Sequence, residues 1–276
     1  MAEISSAAVK ELRQITGLPM MDCKKALTEC NGDQEQAIKW LRERGAKLMG
    51  GRADRETSFG RFGIYHGLGK SAGAIVELKC ESDPVAKNDE FVKLANDLAE
   101  QLAKGPGAAT VEELLAQPSP SKPGMTLLEQ RDELMNRIRE VFNIGRFAKL
   151  EGGCGGYSHN AGTIAGVLLA VDGSDETAAK DICMHIAAMR PHALEVSELD
   201  PTLVEKEREI LREAASKEGK PASIVDKMVE GRLKSFYAEK VLLEQPFVKD
   251  PAMSIGKLAQ QQGLKLKKFI HWELGH

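Results

Sequence analysis

Gly67-Leu68-Gly69-Lys70-Ser71 carries the glycines, lysine and hydroxyl of a loop that could cradle phosphate. Such a loop needs a further glycine five residues before Gly69, where Ile64 stands, and a helix after it. Ala74-Ile75-Val76-Glu77-Leu78 reads as a strand instead. The stretch is therefore expected to be a glycine-rich hairpin turn. Gly156-Tyr157-Ser158-His159 offers the serine of a nucleophile elbow, but Asn160 occupies the place of the second glycine. Cys183 and His185 fall two apart on a helix and do not share a face. They make a poor metal pair, which leaves His185 as a packed or interface histidine. No Ser/His/Asp or paired-carboxylate arrangement is legible, so an enzyme would need an active site dispersed across the fold.

Two further segments stand out, the first as a binding surface and the second, on its residues alone, as a turn. In Thr16-Gly17-Leu18-Pro19-Met20-Met21-Asp22-Cys23-Lys24-Lys25-Ala26-Leu27, Gly17 closes one helix and Pro19 opens the next. Methionine is flexible and polarizable, an adaptable contact for another protein. Adjacent helical positions point about 100° apart, so one of Met20 and Met21 is expected to remain at the surface. Cys80-Glu81-Ser82-Asp83-Pro84-Val85-Ala86-Lys87 lies between a strand and a helix, where Ser or Asp could simply support the helix start.

The elements that position these segments follow from periodicity and caps. Ser5 or Ser6 caps a helix with Val9, Leu12 and Ile15 inward. Asp33 and Gln36 start a third helix with Ala37, Ile38 and Leu41 inward, and Gly45 stops it. Three helices in about 45 residues lie near the lower size limit for an independent core. A glycine-rich basic linker follows from Ala46 to Arg61. Gly60-Arg61-Phe62 then opens a strand (Phe62 to Gly67), a turn, a second strand (Ala74 to Cys80) and a helix over Asn88 to Ala103 with Phe91, Leu94, Ala95, Leu98 and Leu102 on one face. Gly145-Arg146-Phe147 opens a second copy: a strand to Leu150, a glycine-rich turn, a strand over Thr163 to Val171, and a helix capped by Ser174 or Asp175. Between the copies, Thr110 with Glu113 and Thr126 with Glu129 start two shorter helices, separated by a flexible Pro/Ser run from Gln117 to Gly124. Asp200-Pro201 starts a charged helical hairpin. There Leu203 and Ile210, and Val204 and Leu211, fall seven apart, Gly219-Lys220-Pro221 turns the chain, and Ile224, Met228 and Phe236 lie on the return helix. It could be an arm for a partner or a solvated stalk. A short helix over Ser254 to Gln262 and a strand over Leu264 to Leu274 come last.

The run from Thr16 to Leu27 with Thr28-Glu29-Cys30-Asn31-Gly32-Asp33 resembles the N-terminal, ubiquitin-associated-like module of the bacterial elongation factor Ts family. Ser82-Asp83-Pro84-Val85-Ala86-Lys87, Met184-His185-Ile186-Ala187-Ala188, Met228-Val229-Glu230-Gly231-Arg232 and Gln245-Pro246-Phe247-Val248 follow in the family's order. The resemblance implies an α+β protein with four parts: a module at 1–45, a linker at 46–61, a core subdomain at 62–144 and a second at 145–276. The second subdomain carries the hairpin insertion at about 200–238. It implies a non-enzymatic guanine-nucleotide exchange factor acting on elongation factor Tu in its GDP, GTP and nucleotide-free forms. Ser82, Asp83, Pro84 and Val85 would dislodge the partner's Mg²⁺, while Met20, Met21, Asp22, Lys24, Lys25 and His185 would contact the partner. Pro84 stands where the family usually has Phe. Many members also continue into a further C-terminal helical element, where this chain stops at His276. Left open are a non-catalytic adaptor built on the same module and an enzyme with a dispersed site.

Composition bounds these readings. The 276 residues allow two or three domains, and 42% hydrophobic content is that of a globular chain. A net charge of −3 argues against direct nucleic-acid binding, which wants a basic field. No apolar run approaches the roughly 20 residues of a membrane span. Five cysteines (23, 30, 80, 154, 183) lack metal-ligand spacing and, with no export signal legible, read as reduced cytosolic thiols. No cofactor or metal of its own is expected.

Overall fold

A computed structural model describes residues 4–52, 54–217 and 222–275, except the side chains of residues 222 and 223. In chain order the elements are α1 (Ser6–Thr16), α2 (Met20–Glu29), α3 (Gln34–Gly50), β1 (Phe59–Tyr65), β2 (Ala72–Cys80), α4 (Asp83–Ala86), α5 (Asp89–Lys104), α6 (Val111–Leu115) and α7 (Leu127–Ile138). There follow β3 (Asn143–Glu151), β4 (Cys154–Ala161), β5 (Thr163–Asp172), α8 (Glu176–Met189), α9 (Pro201–Ser216), α10 (Ala222–Lys240), β6 (Pro246–Phe247), β7 (Asp250–Ser254), α11 (Ile255–Gln261) and β8 (Lys265–Glu273). The strands form sheets in the order β1-β2-β3, β4-β5-β8 and β6-β7. This is an α+β chain: a three-helix module, two hairpin-plus-helix layers and an inserted helical hairpin. It divides into two compact units. One comprises the residues up to Gly63, Val76–Ala148 and the last few residues; the other comprises Ile64–Ile75 and Lys149–Glu273.

The module closes around Val9, Leu12, Leu18, Cys23, Ala26, Leu27, Ala37 and Leu41. Ser5 caps α1, Gly17 ends it in the left-handed conformation (φ 66°), and Asp33 caps α3 by accepting from Gln36 N–H. Three expectations fail here. Ile15 is exposed, because Leu18 in the connection fills the core in its place. Both methionines are exposed, Met20 by 49% and Met21 by 73%, because Cys23, Ala26 and Leu27 complete the inward face of α2 without them. Gly45 does not stop α3, which runs to Gly50 and so enters the expected linker. A side chain at 45 would overlap Asn136 of α7, its Cβ lying 2.4 Å from Cγ. The glycine marks a close approach of α3 to α7, not a helix end.

In the first hairpin layer, Phe91, Leu94, Ala95, Leu98 and Leu102 of α5 are buried, as their spacing demands. Gly63 admits this helix, since a Cβ there would lie 1.9 Å from the Ala95 carbonyl. The turn Gly67–Ser71 joins β1 to β2, and Gly156–Asn160 lies within β4, so neither forms a phosphate loop or a nucleophile elbow. The second layer differs from expectation. The strand opened by Gly145-Arg146-Phe147 is β3, which joins the first sheet, and the glycine-rich stretch read as a turn is itself strand β4. The physical reason is Glu77. It is buried in β2, and its carboxylate accepts from Arg146 through N, Nε and Nη2 at 3.2, 3.1 and 2.9 Å. A buried carboxylate needs a paired cation, and Arg146 draws β3 to it. The second copy is therefore β4-β5-α8, with β5 pairing antiparallel to β4 and to β8.

The Pro/Ser run between α6 and α7 is anchored rather than loose. Ser119 Oγ–H donates to Gln130 (2.7 Å), and Gln130 Nε2 and Ser121 Oγ both donate to the buried Asp97 carboxylate. In the helical hairpin, Ala215, Val225, Val229 and Leu233 form a small core, with Leu211, Met228 and Tyr237 against it. Leu203, Ile210 and Ile224 face solvent, and on α9 the described residues facing the seam are Val204, Leu211 and Ala215. The expected turn at Gly219-Lys220-Pro221 lies outside the described residues.

Candidate functional site

The connection from β2 to α5 is built by satisfying backbone and carboxylate groups on both sides of an exposed tip. Cys80 ends β2 buried, and its Sγ–H donates to the Ser82 carbonyl (3.2 Å). Burial pushes the thiol up to about 12, so it stays protonated and unreactive at neutral pH. Burial also works to raise the Glu81 carboxyl. Bonds from Val141 N–H (2.8 Å) and Arg55 Nη1 (2.9 Å) outweigh it and hold Glu81 below the ordinary carboxylate range. The Ser82 hydroxyl is used up by Glu140: Oγ–H donates to Oε1 at 2.6 Å and N–H to Oε2 at 3.1 Å. It therefore does not cap α4, although Ser82 holds the N-cap position.

Asp83 and Pro84 follow, both exposed, in the first turn of α4, with Val85 half-buried and Ala86 buried. Asp83 Oδ2 lies 2.6 Å from Lys87 Nζ, one turn on. Such an exposed pair is worth little, so the carboxylate can be given up to another cation at small cost. Arg61 Nη1 donates to the Ala86 carbonyl (3.2 Å), and Asn88 caps α5 through Glu90 N–H and Phe91 N–H. The four residues singled out in the sequence thus form one tip with anchored flanks.

The module residues lie on α2. Met20, Met21, Lys24 and Lys25 are exposed together, whereas Asp22 is half-buried and paired with Arg139 Nη2 (2.6 Å) and Arg44 Nη1 (3.7 Å). His185 is fully buried in α8. Its Nδ1 accepts from Val248 N–H (3.2 Å), which places its proton on Nε2, facing Gln245 Oε1 at 2.9 Å. Gln245 in turn donates to the Glu239 carbonyl (2.9 Å). His185 thus holds the Gln245–Val248 segment in place. Burial lowers its pKa, partly offset by the Gln245 bond. Among the described residues there is no cluster of His, Cys, Asp or Glu that could hold a metal ion, and no helix is long and apolar enough to cross a membrane.

Sequence reasoning missed Glu140 and Arg139, which bind the loop and the module from the far end of α7. Nothing in their local pattern separates them from ordinary charges at a helix end. Arg139 is unusual only in its backbone, a non-glycine residue at φ 70°.

The described residues thus present an exposed methionine and lysine face on α2, a pinned loop with an exposed Asp-Pro tip and a two-helix hairpin. Comparison with known proteins fixes the family. The family model described as "Elongation factor TS" matches residues 81–276. The chain is 42% identical to the elongation factor Ts of Thioalkalivibrio sulfidiphilus, covering 99% of this chain and 92% of that protein. It is 43% identical to that of Hyphomonas neptunium (100% and 93%) and 42% identical to that of Methylococcus capsulatus (99% and 92%). The chain belongs to the elongation factor Ts family, and its role lies in translation elongation.

Proposed function

We propose that this chain is the guanine-nucleotide exchange factor of a cytoplasmic elongation factor Tu, and that the Ser82–Val85 tip does the displacing. The observation that carries the reading is the contrast within one loop: Glu81 and Ser82 are pinned by three protein groups while Asp83 and Pro84 are exposed and Asp83 holds a solvent-exposed pair with Lys87. A GTPase holds its nucleotide through Mg²⁺ bridging phosphate oxygens and through backbone N–H groups of its phosphate loop. A partner that inserts a rigid tip and a carboxylate beside that metal weakens those supports. By reciprocity, nucleotide weakens the partner's binding by the same factor, so GDP leaves, GTP enters and GTP expels the factor. No bond is made or broken in this chain.

Pro84 replaces the family's usual Phe and offers a smaller apolar contact but a stiffer turn. The displacement then rests on Asp83 and on how firmly the loop is held. Met20, Met21, Lys24 and Lys25 supply the second contact, a mixed apolar and basic face suited to an acidic, grooved surface on the GTPase. His185 acts through the Gln245–Val248 segment it holds.

The test is stopped-flow release of fluorescent GDP from the cognate Tu at saturating Mg²⁺. Catalytic amounts of the chain are expected to accelerate release. Unchanged release by the folded protein overturns the reading. The joint exposure of Met20 and Met21 favours one alternative, an adaptor that binds through the module alone. It predicts that the isolated surface of α2 accounts for all binding and that the Ser82–Val85 tip can be altered without effect.

A further inference from the structure

We propose that Arg139-Glu140-Val141 is a positioning junction that fixes α2 of the module and the Ser82–Val85 tip in one arrangement; this rests on the exchange reading above. Three consecutive residues at the end of α7 bind both candidate contact regions. Arg139 Nη2 donates to Asp22 Oδ2 of α2 at 2.6 Å, and the Arg139 carbonyl accepts from Arg52 Nη1, just beyond α3, at 2.8 Å. Glu140 takes both donors of Ser82 at 2.6 and 3.1 Å, and Val141 N–H donates to Glu81 at 2.8 Å. The loop is therefore gripped at Glu81 and Ser82, directly before the exposed Asp83 and Pro84, and the module on the helix that carries Met20 and Met21.

Arg139 is one of three non-glycine residues at positive φ among the described residues, with Asn31 and Arg190. Arg139 caps α7 in the left-handed conformation, its N–H donating to the Met135 carbonyl at 2.8 Å. That conformation disfavours any residue with a Cβ, and glycine is its usual occupant. An arginine held there is explained by what its side chain does, namely pairing with Asp22. The left-handed turn also sends Glu140 toward Ser82 rather than along the axis of α7. Asp22 is reassigned accordingly: its carboxylate is spent on Arg139 and Arg44, so it orients α2 and leaves the partner to the exposed residues beside it.

The junction predicts separable effects. Arg139→Gly relaxes the backbone while removing the side-chain hold on Asp22 of α2, so thermal stability should hold while KM for Tu·GDP rises about tenfold with kcat little changed. Glu140→Ala frees the tip, so kcat should fall about tenfold with KM little changed. Glu140→Gln, which keeps one acceptor for Ser82, should recover part of that loss. Alkylation of Cys80, followed by peptide mass spectrometry without any partner, reads the loop directly. Glu140→Ala should speed its labelling about tenfold relative to buried Cys154. Unchanged kinetic constants together with unchanged Cys80 labelling overturn the junction while leaving the exchange reading intact. Losses that merely track a fall in melting temperature across all three variants also overturn it, since they describe a scaffold. If wild type does not accelerate GDP release, the exchange reading fails. Cys80 labelling in Glu140→Ala then decides the junction alone.

Discussion

The two hairpin-plus-helix copies solve the same packing problem and differ where strand becomes helix. In the second copy, β5 ends at Asp172 and α8 begins at Glu176, with Asp175 capping it through Ala178 N–H at 2.9 Å. Val167, Leu169 and Val171 alternate inward from β5 and meet Ala178, Ile182 and Ile186 at helical spacing. In the first copy β2 ends at Cys80, and α5 waits until Asp89 behind the Asn88 cap. The extra chain, Glu81 to Lys87, adds no core beyond Ala86. It is bound at its base, by Glu140, Val141 and Arg55, and open at its tip. A connection longer than the second copy needs, and anchored by the half-buried carboxylates of Glu81 and Glu140, is what the proposed exchange role would add to a repeated scaffold.

The comparison breaks most simply by making the copies alike. Replacing Glu81–Lys87 with Gly-Ser, as in the second copy, should slow GDP release about 100-fold while cooperative melting persists. Release within twofold of wild type would show that the longer connection is only a detour. A paired substitution sharpens the contrast. Asp83→Ala should slow exchange about tenfold with stability unchanged, because among the described residues its side chain pairs with the exposed Lys87 alone. Asp175→Ala should cost about 1 kcal/mol by loss of a cap and leave exchange within twofold. If the two variants behave alike in both assays, the copies are not functionally distinct.

Much of this contrast was legible in the sequence, for reasons specific to particular residues. Caps are local, and so Ser5, Asp33, Thr110, Thr126 and Asp200 start helices where their patterns say. The Ser82–Val85 segment reads locally as an ordinary Asp-Pro turn between a strand and a helix, and only the resemblance to the family singles it out. What stayed hidden was non-local. Gly45 reads as a stop until Asn136 is seen against it, and the strand at Gly145-Arg146-Phe147 reads as a new copy until Glu77 claims Arg146. Ile15, Leu203 and Ile210 keep an inward period yet face solvent, because Leu18 and the Val204–Leu211 seam already fill those cores. Arg139 and Glu140 were invisible for the same reason: their partners lie 117 and 58 residues away.

The helical hairpin belongs to the second copy alone, and its removal tests whether that copy is mainly scaffold. Its base cannot be taken out cleanly, because Val204, Phe236 and Tyr237 pack against Ala193, Leu199 and Val241. Excising Leu203–Phe236 should therefore lower the melting temperature. Replacing residues 208–232 with a short Gly/Ser loop should spare the base and leave exchange within about threefold of wild type. A larger loss would make the hairpin a partner arm rather than a stalk.

The smallest effect concerns pH, and it should come chiefly from His185 in the second copy. His185 in α8 is buried and neutral, and its pKa is lowered by burial from 6.5. Its Nδ1 accepts from Val248 N–H, so protonation there would set two donors against each other. Because the folded pKa lies below the unfolded one, the unfolded chain takes up the proton first as pH falls. Stability is thus complete above about 6.5 and declines between that value and the lower folded pKa. His66 and His271, also lowered chiefly by burial, add to the same trend. The melting temperature should drop on moving from pH 7.5 to 5.5, and His185→Gln should reduce that drop by about 2–4 °C even if it melts lower at pH 7.5. The helix of the first copy, α5, contains no histidine, and the first copy contributes through His66 in its β1–β2 turn. An equal drop in wild type and variant would remove His185 as the acid-sensitive hold on Gln245–Val248. The pH dependence would then rest on His66 and His271, outside α8.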